Sequence, residues 1–158
     1  MAEGLIAEHH KHLLDYAGYA PRMEYVFRDK AQIAGGKMTL GTMHIVSNLN
    51  AFLADREEDD GAGQPFFCMV IAHDSWLNLT VAQREALVDH ELCHCGLSLG
   101  KDDRLKLHIV PHDVEEFAAV LHRHGTWEDG LQSFMAQAKD RRQAELSFSR
   151  SDGDEEAA

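Results

Sequence analysis

Residues 89–95 run Asp89-His90-Glu91-Leu92-Cys93-His94-Cys95, and the segment before them, Leu79 to Val88, contains neither Gly nor Pro. Thr80 suits a helix N-cap, so the pattern predicts a helix that carries the stretch inside it. At about 100° per residue, His90 and His94 fall about 40° apart on one face and one turn from each other. Both imidazoles can then reach a single ion. Glu91 projects beside that pair, where a carboxylate reaches a water on the ion rather than the ion itself. A metal lowers the pKa of water to about 7, and a carboxylate so placed takes the proton as the water attacks a carbonyl.

Three fixed positions in five residues also arise by chance in helices of no special chemistry. Three features tell against chance here. The motif lies within a helical pattern, it follows a strand-like segment, and a further potential ligand stands downstream at a suitable distance. The spacing is the HExxH arrangement of zinc peptidases.

A chain of 158 residues with 44% hydrophobic content fits one domain with a real core. The net charge of −12 opposes binding to nucleic acid or anionic membrane, which depends on clustered Lys and Arg. The acids at Asp55 to Asp60 and Asp152 to Glu156 read as a solubilising loop and tail. The chain opens on no secretory leader, and no apolar stretch approaches the roughly 20 residues of a membrane span. A cytoplasmic protein is expected. Three cysteines, two of them Cys93 and Cys95 in the motif helix, make a poor disulfide framework, so reduced thiols are expected.

Residues 3–15 predict an amphipathic helix with Leu5, Ile6, His9 and Leu13 near one stripe. His9, His10 and His12 read as solvated rather than as ligands. Arg22 to Arg28 alternates as a half-buried strand, and Gly35-Gly36 marks a turn. Lys37 to Ser47 follows as a second strand, bulged at Gly41, with His44 as a packed or surface residue. Asn48 to Ala54 predicts a short helical turn and Asp55 to Gln64 a loop. Phe66 to Ala72, apolar throughout, predicts the third and most buried strand. The motif helix is expected to end at Gly96 or Gly100. Leu105 to Val110 predicts a short extended piece. Beyond Pro111, one helix is expected from His112-Asp113 to His124, ended by Gly125, and another over Thr126 to Ala138. Residues 139–158 read as a frayed end and a disordered acidic tail.

A catalytic zinc site takes three protein ligands and leaves the fourth position to water. The third is sought among His108, His112, Asp113, Glu115 and Glu116. Residues 95–111 separate His112 from His94, enough to turn back and present a ring to the ion. Glu116, a helical turn further on, is the alternative ligand or an acceptor for a ligand imidazole. The plain alternative for His112 is packing against Pro111, and the acids of the first turn also suit the helix dipole. Cys93 and Cys95 stand beside the histidine pair and not in line with it, so apolar packing is their expected role.

With these residues in hand, the chain resembles the phage metallopeptidases, small zincin-like proteins of phages and prophages. The resemblance runs from Tyr25-Val26-Phe27-Arg28 through Gly36-Lys37 and Asn50-Ala51-Phe52-Leu53. It is densest in Trp76-Leu77-Asn78-Leu79-Thr80, in Gln83 to His94, and in His112-Asp113-Val114-Glu115-Glu116-Phe117. More distantly, HExxH followed by a histidine before an acid and Phe is similar to SprT-type zinc proteases, whose third ligand is that histidine. The resemblance implies His90, His94 and His112 as zinc ligands and Glu91 as the base. SprT-type proteins that act on DNA-bound substrates commonly add a zinc ribbon or a basic DNA-binding segment, and this sequence has neither.

The expected architecture is an α+β zincin-like domain over residues 1–138. It has an N-terminal helix, a twisted sheet of about three strands, the HExxH helix and a following C-terminal helix. The expected function is zinc-dependent hydrolysis of a protein or peptide substrate, with no nucleic-acid or membrane partner; the sequence sets no oligomeric state. His122 and His124 are candidates for stabilising an oxyanion and equally read as surface residues. Two other classes remain. One is a non-catalytic zinc-containing protein that binds a host or phage partner, against which an intact Glu91 argues. The other is a hydrolase of a non-peptide amide such as a cell-wall crosslink.

Overall fold

The apolar run Phe66–Ala72 forms the central strand of a three-stranded sheet, as a segment covered on both faces should. The computed structural model describes residues 1–34, 36–54, 63–115, 118–127 and 129–151. The fold is mixed α+β, and it is described as two compact units, Met1–Pro111 and His112–Ala158. No helix among the described residues is long and apolar enough to cross a membrane.

In the first unit, α1 (Ala2–Glu8) and a 3-10 turn (Lys11–Leu13) precede β1 (Met23–Arg28), β2 (Gln32–Ala34), β3 (Lys37–Thr39) and β4 (Gly41–Val46). Then come α2 (Asn48–Ala54), β5 (Phe66–Ala72), α3 (His73–Asn78), α4 (Val81–Cys93), β6 (Cys95–Leu99) and β7 (Leu105–Ile109). The sheet order is β1-β5-β4. β1 runs parallel to β5, with Tyr25 opposite Met69, and β4 runs antiparallel, with Met43 opposite the same Met69. β4 is therefore an edge strand, and it packs against α4.

Phe67, Met69 and Leu92 are fully buried, and around them gather Leu5, Ile6, Leu13, Met43, Ile71, Val88, Cys95 and Leu97. Leu5 and Ile6 bring α1 onto α4. Leu92 sits between the two histidines of the motif, so the burial that fixes α4 in the core also fixes the site. Thr80 caps α4 as the sequence predicts. Its hydroxyl accepts from the Gln83 N–H at 3.3 Å, and the Gln83 side chain accepts from the Thr80 N–H at 2.9 Å. Thr80→Ala should cost about 1 kcal/mol. The check is a lower urea midpoint at unchanged denaturant slope, and an unmoved midpoint would remove the cap from the account.

The second strand of the sequence reading, Lys37 to Ser47, is two strands in two sheets. β3 turns back on β2 as a separate antiparallel hairpin, and β4 begins anew at Gly41. Gly41 is no bulge. A Cβ there would lie 2.6 Å from Glu91 Oε1, so the side chain of α4 occupies the space. The motif helix also ends earlier than Gly96 or Gly100. It closes at Cys93 with His94 as C-cap, and Cys95-Gly96-Leu97-Ser98-Leu99 becomes β6, antiparallel to β7. At Gly96 the His108 ring lies where a Cβ would stand. At the N-terminus α1 is shorter than residues 3–15, since the 3-10 turn takes up Lys11–Leu13.

The second unit contains α5 (Ala118–His124) and α6 (Asp129–Ser151). The helix expected from His112-Asp113 starts only at Ala118, and residues 112–115 are not helical. Val110, two residues before His112, is hydrogen-bonded to His94 through both its N–H and its carbonyl. Gly125, at φ +66°, ends α5 in the left-handed conformation that favours glycine. α6 runs beyond Ala138 to Ser151, where the sequence reading places a frayed end. Lys139 to Ser147 has no Gly or Pro and is rich in Lys, Arg, Gln, Ala, Glu and Leu, residues of good helix propensity. The expected acid loop at Asp55 to Asp60 and the tail acids Asp152 to Glu156 lie outside the described residues.

Candidate metal centre

His90 and His94 lie one turn apart at the C-terminal end of α4, with ring centroids 5.1 Å apart and ring planes at 85°. His90 is exposed and His94 half-buried, so the pair opens toward solvent. His94 is oriented from behind. Its Nδ1 lies 2.6 Å from the carbonyl oxygen of Val110, and the Val110 N–H donates to the His94 carbonyl at 2.9 Å. A carbonyl only accepts, so in the neutral ring Nδ1 carries the proton and Nε2 keeps its lone pair. A ligand histidine needs this tautomer, with the second nitrogen anchored as metal-binding imidazoles usually are.

Glu91 is 3% exposed, one of two buried polar or charged side chains among the described residues. It accepts a hydrogen bond from the backbone N–H of Met43 on β4, and Gly41 of the same strand leaves it room. Burial pushes its carboxyl above the ordinary glutamate range, while His94 and the Met43 N–H pull the other way. A carboxylate with a raised pKa is the stronger base, and Glu91 is held rigidly beside two imidazoles. Neither partner on β4 is a side chain, which is why sequence reasoning missed both Gly41 and Met43.

His112 opens the second unit. It is exposed, and its Nδ1 lies 4.0 Å from Glu115 Oε1. Glu116 lies outside the described residues. His108 is on β7 with its ring over Gly96. His44 is exposed on β4, and His122 and His124 are exposed at the end of α5.

Two sequence expectations need correction. His10 is not solvated. It is 6% exposed, and its Nε2 lies 2.7 Å from Asp89 Oδ1, while His12 Nε2 lies 3.0 Å from the Cys95 carbonyl. The reason is the break between α1 and the 3-10 turn, which aims the His10 ring at α4 and the His12 ring at the start of β6. Nor do both motif cysteines pack in the core. Cys95 does, and burial, with help from Glu91 and Cys93, pushes its thiol up to about 12. Cys93 is exposed.

A mixed α+β domain with two histidines on a helix and a buried glutamate between them is the frame of a metal-dependent hydrolase. The chain belongs to the putative phage metallopeptidase family, whose model matches residues 1–139. Membership brings a metal cofactor and a protein or peptide substrate with it. No match was found among curated proteins or among solved structures.

Proposed function

We propose that the chain is a zinc-dependent peptidase of the zincin type, with His90, His94 and His112 as metal ligands and Glu91 as general base. The observation that carries the reading is the environment of Glu91. It is a buried carboxylate held by a strand N–H and flanked by two histidines, one of which has its second nitrogen committed to a carbonyl. A site that only held structure would have no use for a buried base.

The donor set fits zinc, whose catalytic sites take three nitrogen or oxygen ligands from the protein. Each of the three histidines can offer one ring nitrogen. His112 follows Val110 by two residues, and two residues of extended chain span at most about 7 Å. With Val110 bonded to His94, a tether of that length is short enough for His112 to serve as the third ligand. When bound, the metal supplies Lewis acidity, which polarises a carbonyl and acidifies water.

The chain's own residues do the rest. Glu91 takes a proton from the attacking water at its carboxylate and passes it to the departing amine nitrogen. The Met43 N–H and the close approach of Gly41 keep that carboxylate from turning away. β4, an edge strand beside the site, has the geometry to hold a substrate extended through backbone hydrogen bonds.

Metal content per chain tests the ligand set. Wild type should carry close to one zinc at this site, retained in Glu116→Ala and lost in His90→Ala, His94→Ala and His112→Ala. Loss with Glu116→Ala and retention with His112→Ala would replace His112 by Glu116. A folded wild type that takes up no zinc when supplied with it would end the peptidase reading in favour of a binding protein.

A further inference from the structure

We propose a second metal site on the adjacent flank of α4, formed by His10, Asp89 and Cys93. One ligand atom from each, the His10 ring nitrogen, an Asp89 carboxylate oxygen and Cys93 Sγ, lie within 4.8 Å of one another. All three belong to the first unit, and none is needed by the peptidase chemistry.

The arrangement follows from the helix. Asp89 and Cys93 are four residues apart, so they share a face one turn apart, as His90 and His94 do. Each precedes its histidine by one residue, which turns the second pair about 100° round the helix from the first. α4 therefore presents two ligand pairs on adjacent stripes. His10 comes to the second pair from the N-terminal segment, between α1 and the 3-10 turn. It is almost fully buried and already 2.7 Å from Asp89 Oδ1. Asp89 is partly exposed and Cys93 exposed, so an ion has a path in and a solvent-facing fourth position.

The donor chemistry selects the ion. One imidazole nitrogen, one carboxylate oxygen and one thiolate suit zinc or cobalt(II) and do not suit calcium or magnesium, which want oxygen alone. Bonds of 2.0–2.3 Å in a tetrahedron put donors about 3.3–3.8 Å apart. His10 and Asp89 must separate slightly and Cys93 must close in by up to about an ångström, within the reach of side-chain rotation. Binding releases the Cys93 thiol proton to solvent, while the neutral His10 ring offers Nε2 to the ion with its own proton on Nδ1. The ion would clamp the N-terminal segment to the helix that carries the catalytic pair, a structural role separate from hydrolysis.

The test is a cobalt(II) titration of the full chain followed by absorption spectroscopy. A three-histidine site has no sulfur, so a thiolate-to-cobalt charge-transfer band in the near ultraviolet reports ligation by a cysteine, and its loss in Cys93→Ser assigns it to Cys93. The wild type should take two equivalents and show the band. Cys93→Ser, a change at an exposed position, should lose the band and one equivalent while keeping the d–d absorption of the histidine site. Asp89→Asn should weaken the band, and His90→Ala should keep it. Absence of the band from folded wild type at excess cobalt overturns the proposal, as does its survival in Cys93→Ser. Its loss in a folded His90→Ala also overturns it, by giving the thiolate to the histidine site. The band and the stoichiometry stand independently of any peptidase activity.

Discussion

Glu91→Gln should abolish peptide hydrolysis and leave the metal in place. General base catalysis contributes roughly 10²–10⁴-fold, and on the proposed mechanism no other side chain takes over the proton. Glutamine keeps the shape of the side chain and an oxygen to accept from the Met43 N–H, so the strand contact survives. Stability separates this loss from unfolding. Burial disfavours the Glu91 carboxylate, and the neutral amide escapes that cost, so the variant should denature no earlier than wild type. Turnover of a fluorogenic peptide, zinc per chain and a urea midpoint on one preparation decide the matter. Wild-type turnover in Glu91→Gln would dismiss Glu91 as the base. Loss of zinc together with activity would make it a ligand or a structural residue.

The parts of this site that were legible in the sequence are those set by local periodicity. The helical spacing of His90, Glu91 and His94, the Thr80 cap with its partner Gln83, and the apolar run of β5 each depend on neighbours within a few residues. What escaped notice is held by the backbone of distant segments. The Val110 carbonyl that orients His94 and the Met43 N–H that holds Glu91 leave no mark in residue type. His10 is a different case. Its partner Asp89 lies on another helix, and a short amphipathic segment read alone places its histidines outward. β6 is not legible in the sequence because Gly96 and Gly100 look like helix stops. Gly96 is instead a strand position emptied for the His108 ring. The end of α6 is not legible either, because its last turns carry few bulky apolar residues, although nothing in them breaks a helix.

Gly41→Ala should lower activity far more than it lowers stability. The added Cβ would stand 2.6 Å from Glu91 Oε1 and 3.0 Å from both Cδ and Cγ of the same side chain, closer than unstrained carbon contacts allow. Something must give, and the movable group is the carboxylate, because Gly41 is fixed in the ladder opposite Ile71. Overpacking of a buried position costs about 1–3 kcal/mol, which most domains survive folded. A displacement of about 1 Å in a catalytic group can cost about 10²-fold in rate. The expected result is a folded protein with normal zinc content, a modestly lower urea midpoint and a kcat lower by about two orders of magnitude. Gly41→Ala with unchanged kcat would mean that Glu91 tolerates displacement, and the strand would then have no part in positioning the base. A variant that loses zinc would instead show that the strand contact holds the whole end of α4, histidines included. Combining Gly41→Ala with Glu91→Gln distinguishes these cases. If the glycine acts only through the glutamate, the double variant should be no slower than Glu91→Gln alone, a non-additivity expected of two changes at one contact.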